Sequence, residues 1–126
     1  MRATQETLDW IRGYYELMDA NRLAECEPYF TADAEIRIAH HPPLVGWGAI
    51  DRSMRAGLSV VGGIEHEVKA AWEVEDDVLV FEVTAHYTLK DGRKVDVPGV
   101  VIAELADGKF HRQRIGADLS AVYSNL

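Results

Sequence analysis

The sequence predicts an α+β domain, with helical segments concentrated in its first half and antiparallel strands in its second. Three observations carry this. Apolar residues recur at three- and four-residue spacing from Thr7 to Asp19 and again from Trp47 to Leu58, the period of an amphipathic helix. Beyond Gly62-Gly63, the turn signals Glu75-Asp76-Asp77, Asp91-Gly92 and Asp107-Gly108 divide the chain into runs of strand length. At 126 residues, the chain has the length of one domain with a single core.

The first helix buries Leu8, Trp10, Ile11, Tyr14, Tyr15, Leu17 and Met18, and Thr4, Glu6 and Thr7 supply its start. Asn21-Arg22 ends it. A second short helix is expected from Leu23 to Phe30, with Pro28 and then Thr31-Ala32-Asp33 marking its exit. Glu35 to His40 alternates as a half-buried strand, Ile36, Ile38 and His40 on one face and Glu35 and Arg37 on the other. His41-Pro42-Pro43 stops that strand, because proline donates nothing to a ladder. The next helix carries Trp47, Ile50, Met54 and Leu58. Strands follow at Ile64 to Val74, Val78 to Leu89, Arg93 to Leu105 and Lys109 to Ala117.

Parity fixes the register of the hairpin around Asp91-Gly92. Phe81, Val83, Ala85 and Tyr87 form one apolar set, and Val95, Val97, Gly99 and Val101 the other. A two-residue loop would turn the two sets to opposite faces. A three-residue loop, Lys90-Asp91-Gly92, with glycine in the left-handed position, sets Phe81 opposite Val101 and Tyr87 opposite Val95.

Composition narrows the function classes. Hydrophobic residues make up 48% and charged ones 27%, as in ordinary globular proteins. With 21 acidic against 13 basic residues, the net charge is -8, and the densest basic patch is only Arg112 with Arg114, which argues against nucleic acid as a partner. Apolar runs such as Val97 to Ala103 are far shorter than the roughly 20 residues of a spanning helix, so no membrane partner is expected. The N-terminus lacks an apolar signal core, and a cytoplasmic location is expected. Cys26, beside two glutamates, reads as a structural thiol. The five histidines show no HxH, HExxH or Cys/His ligand spacing, adjacent strand histidines should diverge, and no glycine-rich phosphate loop is present. Neither a metal nor a cofactor is expected.

The segments Tyr87-Thr88-Leu89-Lys90-Asp91-Gly92, Val97-Pro98-Gly99, Asp107-Gly108-Lys109-Phe110 and Arg114-Ile115-Gly116-Ala117-Asp118-Leu119-Ser120 resemble the end of SnoaL-like proteins of the nuclear transport factor 2-like superfamily. The start agrees: Met18-Asp19-Ala20-Asn21, then Tyr29 to Glu35, then Gly46 and Ile50. The resemblance spans nearly the whole chain. It implies a cone-shaped α+β barrel, a curved mixed sheet wrapped by about three helices, with an apolar pocket and a homodimeric state. Relatives include ketosteroid isomerases, polyketide cyclases, dehydratases and non-enzymatic members, so fold alone does not choose among them. Ketosteroid isomerases set a carboxylate base opposite a tyrosine and a protonated aspartic acid. By resemblance Tyr14 takes the tyrosine position, whereas the base falls at Ile38 and the oxyanion acid at Val101, which argues against that mechanism.

Parity aims His40, His66, Tyr87, His111 and Gln113 inward, joined by Tyr14 from the first helix. Tyr14 and His40 are the expected catalytic pair, a hydrogen-bond donor and an imidazole that titrates near neutrality. Ile38, Trp47, Met54, His66, Tyr87, Val101, His111 and Gln113 are the expected substrate contacts. His86 belongs to the outer face. A tyrosine-histidine pocket resembles the dehydratases of the superfamily, which also carry aspartate partners for histidine. The expected function is a cofactor-independent lyase or isomerase acting on a small, mainly apolar carbonyl compound. A non-catalytic carrier of such a molecule, or an interaction module docking through Pro98, Val100 and Ile102, are the alternatives.

Overall fold

The computed structural model describes residues 1–123. Helix α1 spans Gln5–Asp19, where the Thr4 hydroxyl accepts the Thr7 N–H at 3.2 Å and caps the first turn. Its buried face carries Ile11, Tyr14, Tyr15 and Met18. Asn21 then takes a left-handed φ of 58° and turns the chain into a 3₁₀ helix, Leu23–Tyr29, with Pro28 inside it. The short helix expected here therefore has the tighter form and gives up Phe30 to the following strand.

Strands β1 (Phe30–Ile38) and β2 (Leu44–Val45) precede helix α2 (Trp47–Ser59). Strands β3 (Gly63–Glu75), β4 (Val78–Thr88), β5 (Lys94–Ala106) and β6 (Lys109–Ala117) follow, and a single turn, α3 (Ser120–Tyr123), ends the described chain. The described strands form a six-stranded sheet in the order β2-β1-β6-β5-β4-β3. It is mixed because β1 runs parallel to β6 while the other pairs are antiparallel. The expected barrel does not close: β2 and β3 remain its two edges.

The β4–β5 hairpin has the register that parity predicts, Phe81 opposite Val101 and Tyr87 opposite Val95. Gly92 sits at φ 90°, which explains glycine at that corner, and the Leu89 N–H reaches the Arg93 carbonyl at 2.8 Å across the Lys90-Asp91-Gly92 loop. Phe81, Val101, Ala103 and Phe110 are fully buried on the inner face. Against them α1 lays an aromatic cluster in which Tyr14 stands 5.2 Å from Phe110 and 5.6 Å from Phe30 between ring centroids. Each fully buried phenylalanine contributes about 2–3 kcal/mol by burial alone.

Two local departures from regular pairing correct the parity reading. At the end of β1, Ala39 adopts φ 51° and the His41 N–H turns back to the Ile38 carbonyl at 3.1 Å. The alternation therefore stops at Ile38, and His40 leaves the inner face for an exposed turn. In β6, Leu105 pairs with Phe110 but Glu104 with Arg112, so His111 is the extra residue of a β-bulge. Phe110 and Gln113 both become buried, three positions apart, and His111 turns toward β1 instead. Strand β2 and turn α3 were not expected from the sequence; the Asp118 side chain accepts the Ser120 N–H at 3.0 Å and starts the latter.

Candidate functional site

A cavity of about 230 Å³ lies between the inner face of the sheet and the helices, space for about eight waters at ~30 Å³ each. The sheet contributes Ile36, Val83 and Val101, α2 contributes Ile50 and Met54, and α1 contributes Tyr14, Tyr15 and Met18. No Lys, Arg, Asp or Glu is among the described residues lining it. Its polar atoms come from a few side chains, chiefly tyrosines, His66 and Gln113. The cavity adjoins a wider basin of about 720 Å³ that shares Ile38, Leu44, Ser53 and Tyr123 with it and is rimmed by His40, His41 and Pro42.

His66 stands on edge strand β3 facing the last residue of α1. Its ring Nδ1 lies 2.6 Å from Asp19 Oδ1, and its backbone N–H donates to Asp19 Oδ2 at 2.6 Å. A carboxylate only accepts, so Nδ1 carries a proton, and in the neutral ring the lone pair lies on Nε2. A helix C-terminus disfavours an acidic side chain. The two donated hydrogen bonds from His66 offset that at Asp19. Tyr15 stacks on the imidazole at 4.5 Å with ring planes 25° apart, fixing the ring from the side.

Burial sets the charge of the phenols. Desolvation raises Tyr14 well above the usual tyrosine range, with Tyr15 and Cys26 adding to the rise and the neighbouring Gln113 amide countering part of it. Burial and then the Asp19 carboxylate raise Tyr15, and burial followed by Tyr123 raises Tyr87. All three are therefore neutral hydrogen-bond donors at physiological pH. Gln113 is 1% exposed, and neither amide atom has a hydrogen-bond partner among the described residues. Leaving such a group unpaired costs on the order of 1–3 kcal/mol.

Of the residues expected at the site, Tyr14, Ile38, Met54, His66, Tyr87, Val101 and Gln113 line this one cavity. Three do not. His40 rims the basin, where its ring stacks on His41 at 4.6 Å, so the two histidines converge once Ala39 has broken the strand. Trp47 packs on Phe30 at 5.6 Å between centroids rather than lining the cavity. His111 pairs through Nδ1 with the Thr31 hydroxyl at 3.0 Å and lies 3.5 Å from Asp33. Sequence reasoning missed Asp19, Tyr15, Leu119 and Tyr123. The first two carry a legible signal: they are four residues apart on α1, hence on one face.

Outside the cavity, His86 on the outer face sits between two carboxylates, Nδ1 at 2.7 Å from Asp96 and Nε2 at 2.9 Å from Glu67. Cys26 is buried, and burial followed by Glu25 pushes its thiol up to about 11, so it is a poor nucleophile. Among the described residues no group of three or more His, Cys, Asp or Glu side chains is arranged to hold a metal ion, and no helix is long and apolar enough to cross a membrane.

A family model described as SnoaL-like domain matches residues 11–113. No curated protein matches the chain. Among solved structures, TerC co-crystallised with polyporic acid is 18% identical, with 93% of this chain and 95% of that chain covered and a TM-score of 0.81. A putative polyketide cyclase from Xanthomonas campestris is 14% identical, covering 95% and 96%, with a TM-score of 0.77. A hypothetical protein of ketosteroid isomerase-like fold from Catenulispora acidiphila, in complex with trimethylamine, is 14% identical, covering 97% and 92%, with a TM-score of 0.81. At these identities the likeness is one of fold, and it is the nuclear transport factor 2-like fold that the sequence resemblance implies.

Proposed function

The chain belongs to the SnoaL-like domain family, and from that premise we propose that it is a cofactor-independent lyase or isomerase for a small, mainly apolar carbonyl compound. The observation that carries this reading is the Asp19–His66 pair at an apolar cavity that also holds the Tyr14 hydroxyl. In this mechanism His66 Nε2 accepts the proton from the carbon next to the carbonyl. Tyr14 donates to the oxygen that gains charge, and Asp19 stabilises the imidazolium. Return of the proton to another carbon completes an isomerisation; in a ring closure the enolate carbon bonds to a second carbonyl carbon of the same molecule, whose C=O π bond opens, and the proton passes to the alkoxide oxygen so formed. Delivery of the proton to a β-hydroxyl, with cleavage of that C–O bond, releases water. Ile38 and Val101, at the base and acid positions that the resemblance implies, argue against the ketosteroid isomerase arrangement, and the base role expected of His40 passes to His66 because His40 belongs to the basin rim.

Binding of a small molecule by this chain is supported by relatives of the same fold crystallised with polyporic acid and with trimethylamine. A homodimer is part of the proposal: Val100 and Ile102 are 45% and 38% exposed on the outer sheet face, which a second copy would cover. The free, buried Cys26 fits a reducing cytoplasm. Titration calorimetry with a panel of flat, uncharged cyclic ketones and phenols tests the binding half of the account. Saturable binding that weakens about tenfold in Tyr14→Phe is expected. Failure of every compound to bind the folded protein would overturn it, and saturable binding without any turnover would favour the non-catalytic carrier.

A further inference from the structure

Among the described residues, Gln113 is a fully buried polar side chain of the cavity that makes no hydrogen bond of regular geometry within the protein, although the Tyr14 hydroxyl is its polar neighbour. It is 1% exposed, lines the cavity, and both ends of its amide lack a hydrogen-bond partner among the described residues. Buried polar groups in native proteins are ordinarily satisfied, so an amide that lines a cavity without a regular hydrogen bond to the protein is suited to pair with a group brought into that cavity.

The chemistry of the amide limits what that counterpart is. Its NH₂ only donates and its oxygen accepts. A carboxylate would satisfy the first and oppose the second, and an ammonium group the reverse. Either ion would also enter a lining whose described residues include no Lys, Arg, Asp or Glu, where its lost hydration is poorly replaced. A neutral group offering one acceptor and one donor side by side satisfies both ends. The Tyr14 hydroxyl, held neutral in the same lining, adds a second donor for the acceptor atom. A carbonyl oxygen has two lone pairs and takes both donors, while an adjacent hydroxyl donates to the Gln113 oxygen.

Building on the proposed lyase or isomerase reading, we infer that the ligand is an uncharged hydroxy-carbonyl compound, and that Gln113 is its specificity-determining residue through paired hydrogen bonds to the carbonyl and the neighbouring hydroxyl. The apolar remainder of the molecule lies against Ile36, Val83 and Val101.

The test compares the equilibrium binding of 2-hydroxy-1-tetralone, its O-methyl ether and 1-tetralone by calorimetry. Wild-type protein should bind the hydroxyketone about tenfold more tightly than either analogue, since each analogue lacks the donor for the Gln113 oxygen. Gln113→Leu should level the three affinities, and Gln113→Met, closer in shape, gives the same reading should the leucine variant fold poorly. Equal binding of all three by the wild type, persistence of the preference in the folded variant, or no binding at all would each overturn the inference. Catalysis is read separately: discrimination without any deuterium uptake beside the carbonyl would refute the proposed activity and leave this assignment standing.

Discussion

Asp19 holds His66 at two points, one carboxylate oxygen 2.6 Å from the ring Nδ1 and the other 2.6 Å from the backbone nitrogen. The arrangement locks strand β3 to the end of α1 and sets one tautomer of an imidazole that borders an apolar cavity. Structure and chemistry are therefore joined in one side chain, and substitutions at Asp19 separate them.

Asp19→Asn keeps the size of the side chain but presents an N–H to the imidazole, favouring the wrong tautomer. The proposed proton abstraction should fall by about 10²- to 10⁴-fold with ligand affinity little changed. Asp19→Ala should in addition cost roughly 1–3 kcal/mol of folding stability, because the His66 backbone N–H loses its acceptor. Steady-state kinetics and urea denaturation of the two variants check this.

Tyr14→Phe removes the donor aimed at the developing enolate. The rate should drop about 10- to 10³-fold. Stability should stay within about 1 kcal/mol, since the ring continues to pack on Phe110 and Phe30. A stability loss as large as the catalytic loss would mean that Tyr14 serves the core alone.

Gln113→Leu should stabilise the ligand-free protein by about 1–2 kcal/mol, because an unpaired buried amide is replaced by an apolar group of similar volume. That corresponds to a rise in Tm of roughly 3–8 °C for a domain of this size. Calorimetric melting shows it directly, and an unchanged or lowered Tm would mean that the amide is satisfied in solution.

His86 lies between Asp96 and Glu67, and its hydrogen bonds to those carboxylates, Asp96 first, raise its pKa above the ordinary histidine value. A raised folded-state pKa means that the contribution to stability is fully present below the unfolded value of about 6.5 and is lost as pH rises through the folded value. NMR titration of the ring proton should place the midpoint above 6.5, and Asp96→Asn should bring it down. A midpoint at or below 6.5 would show that the two carboxylates do not hold the imidazolium.

How much of this was legible in the sequence depends on where backbone pairing stays regular. The β4–β5 register followed from parity because both apolar sets had to face one core, and only a loop with a left-handed glycine at Gly92 aligned them. Parity carried His66, Tyr87 and Val101 to the cavity for the same reason. It failed at His40 and His111, where a left-handed Ala39 and a β-bulge break the alternation without any glycine or proline at the break. Gln113 points inward as parity expects, since the pairing from Ala117 back to Gln113 is regular and the bulge lies beyond it. The spacing of Tyr15 and Asp19 places both on one face of α1, but the pairing of Asp19 with His66 is not legible, because the two are 47 residues apart and meet only when α1 lies across β3.

In the proposed reaction His66, oriented by Asp19, abstracts a proton next to a carbonyl in the cavity. The most direct test of this step is the rate of deuterium uptake beside the carbonyl of 2-hydroxy-1-tetralone in D₂O, followed by proton NMR with wild type, His66→Ala and Asp19→Asn. Uptake well above buffer is expected with the wild type, with its loss in His66→Ala and an intermediate rate in Asp19→Asn. Uptake by the wild type no faster than buffer, or unchanged in His66→Ala, would contradict it.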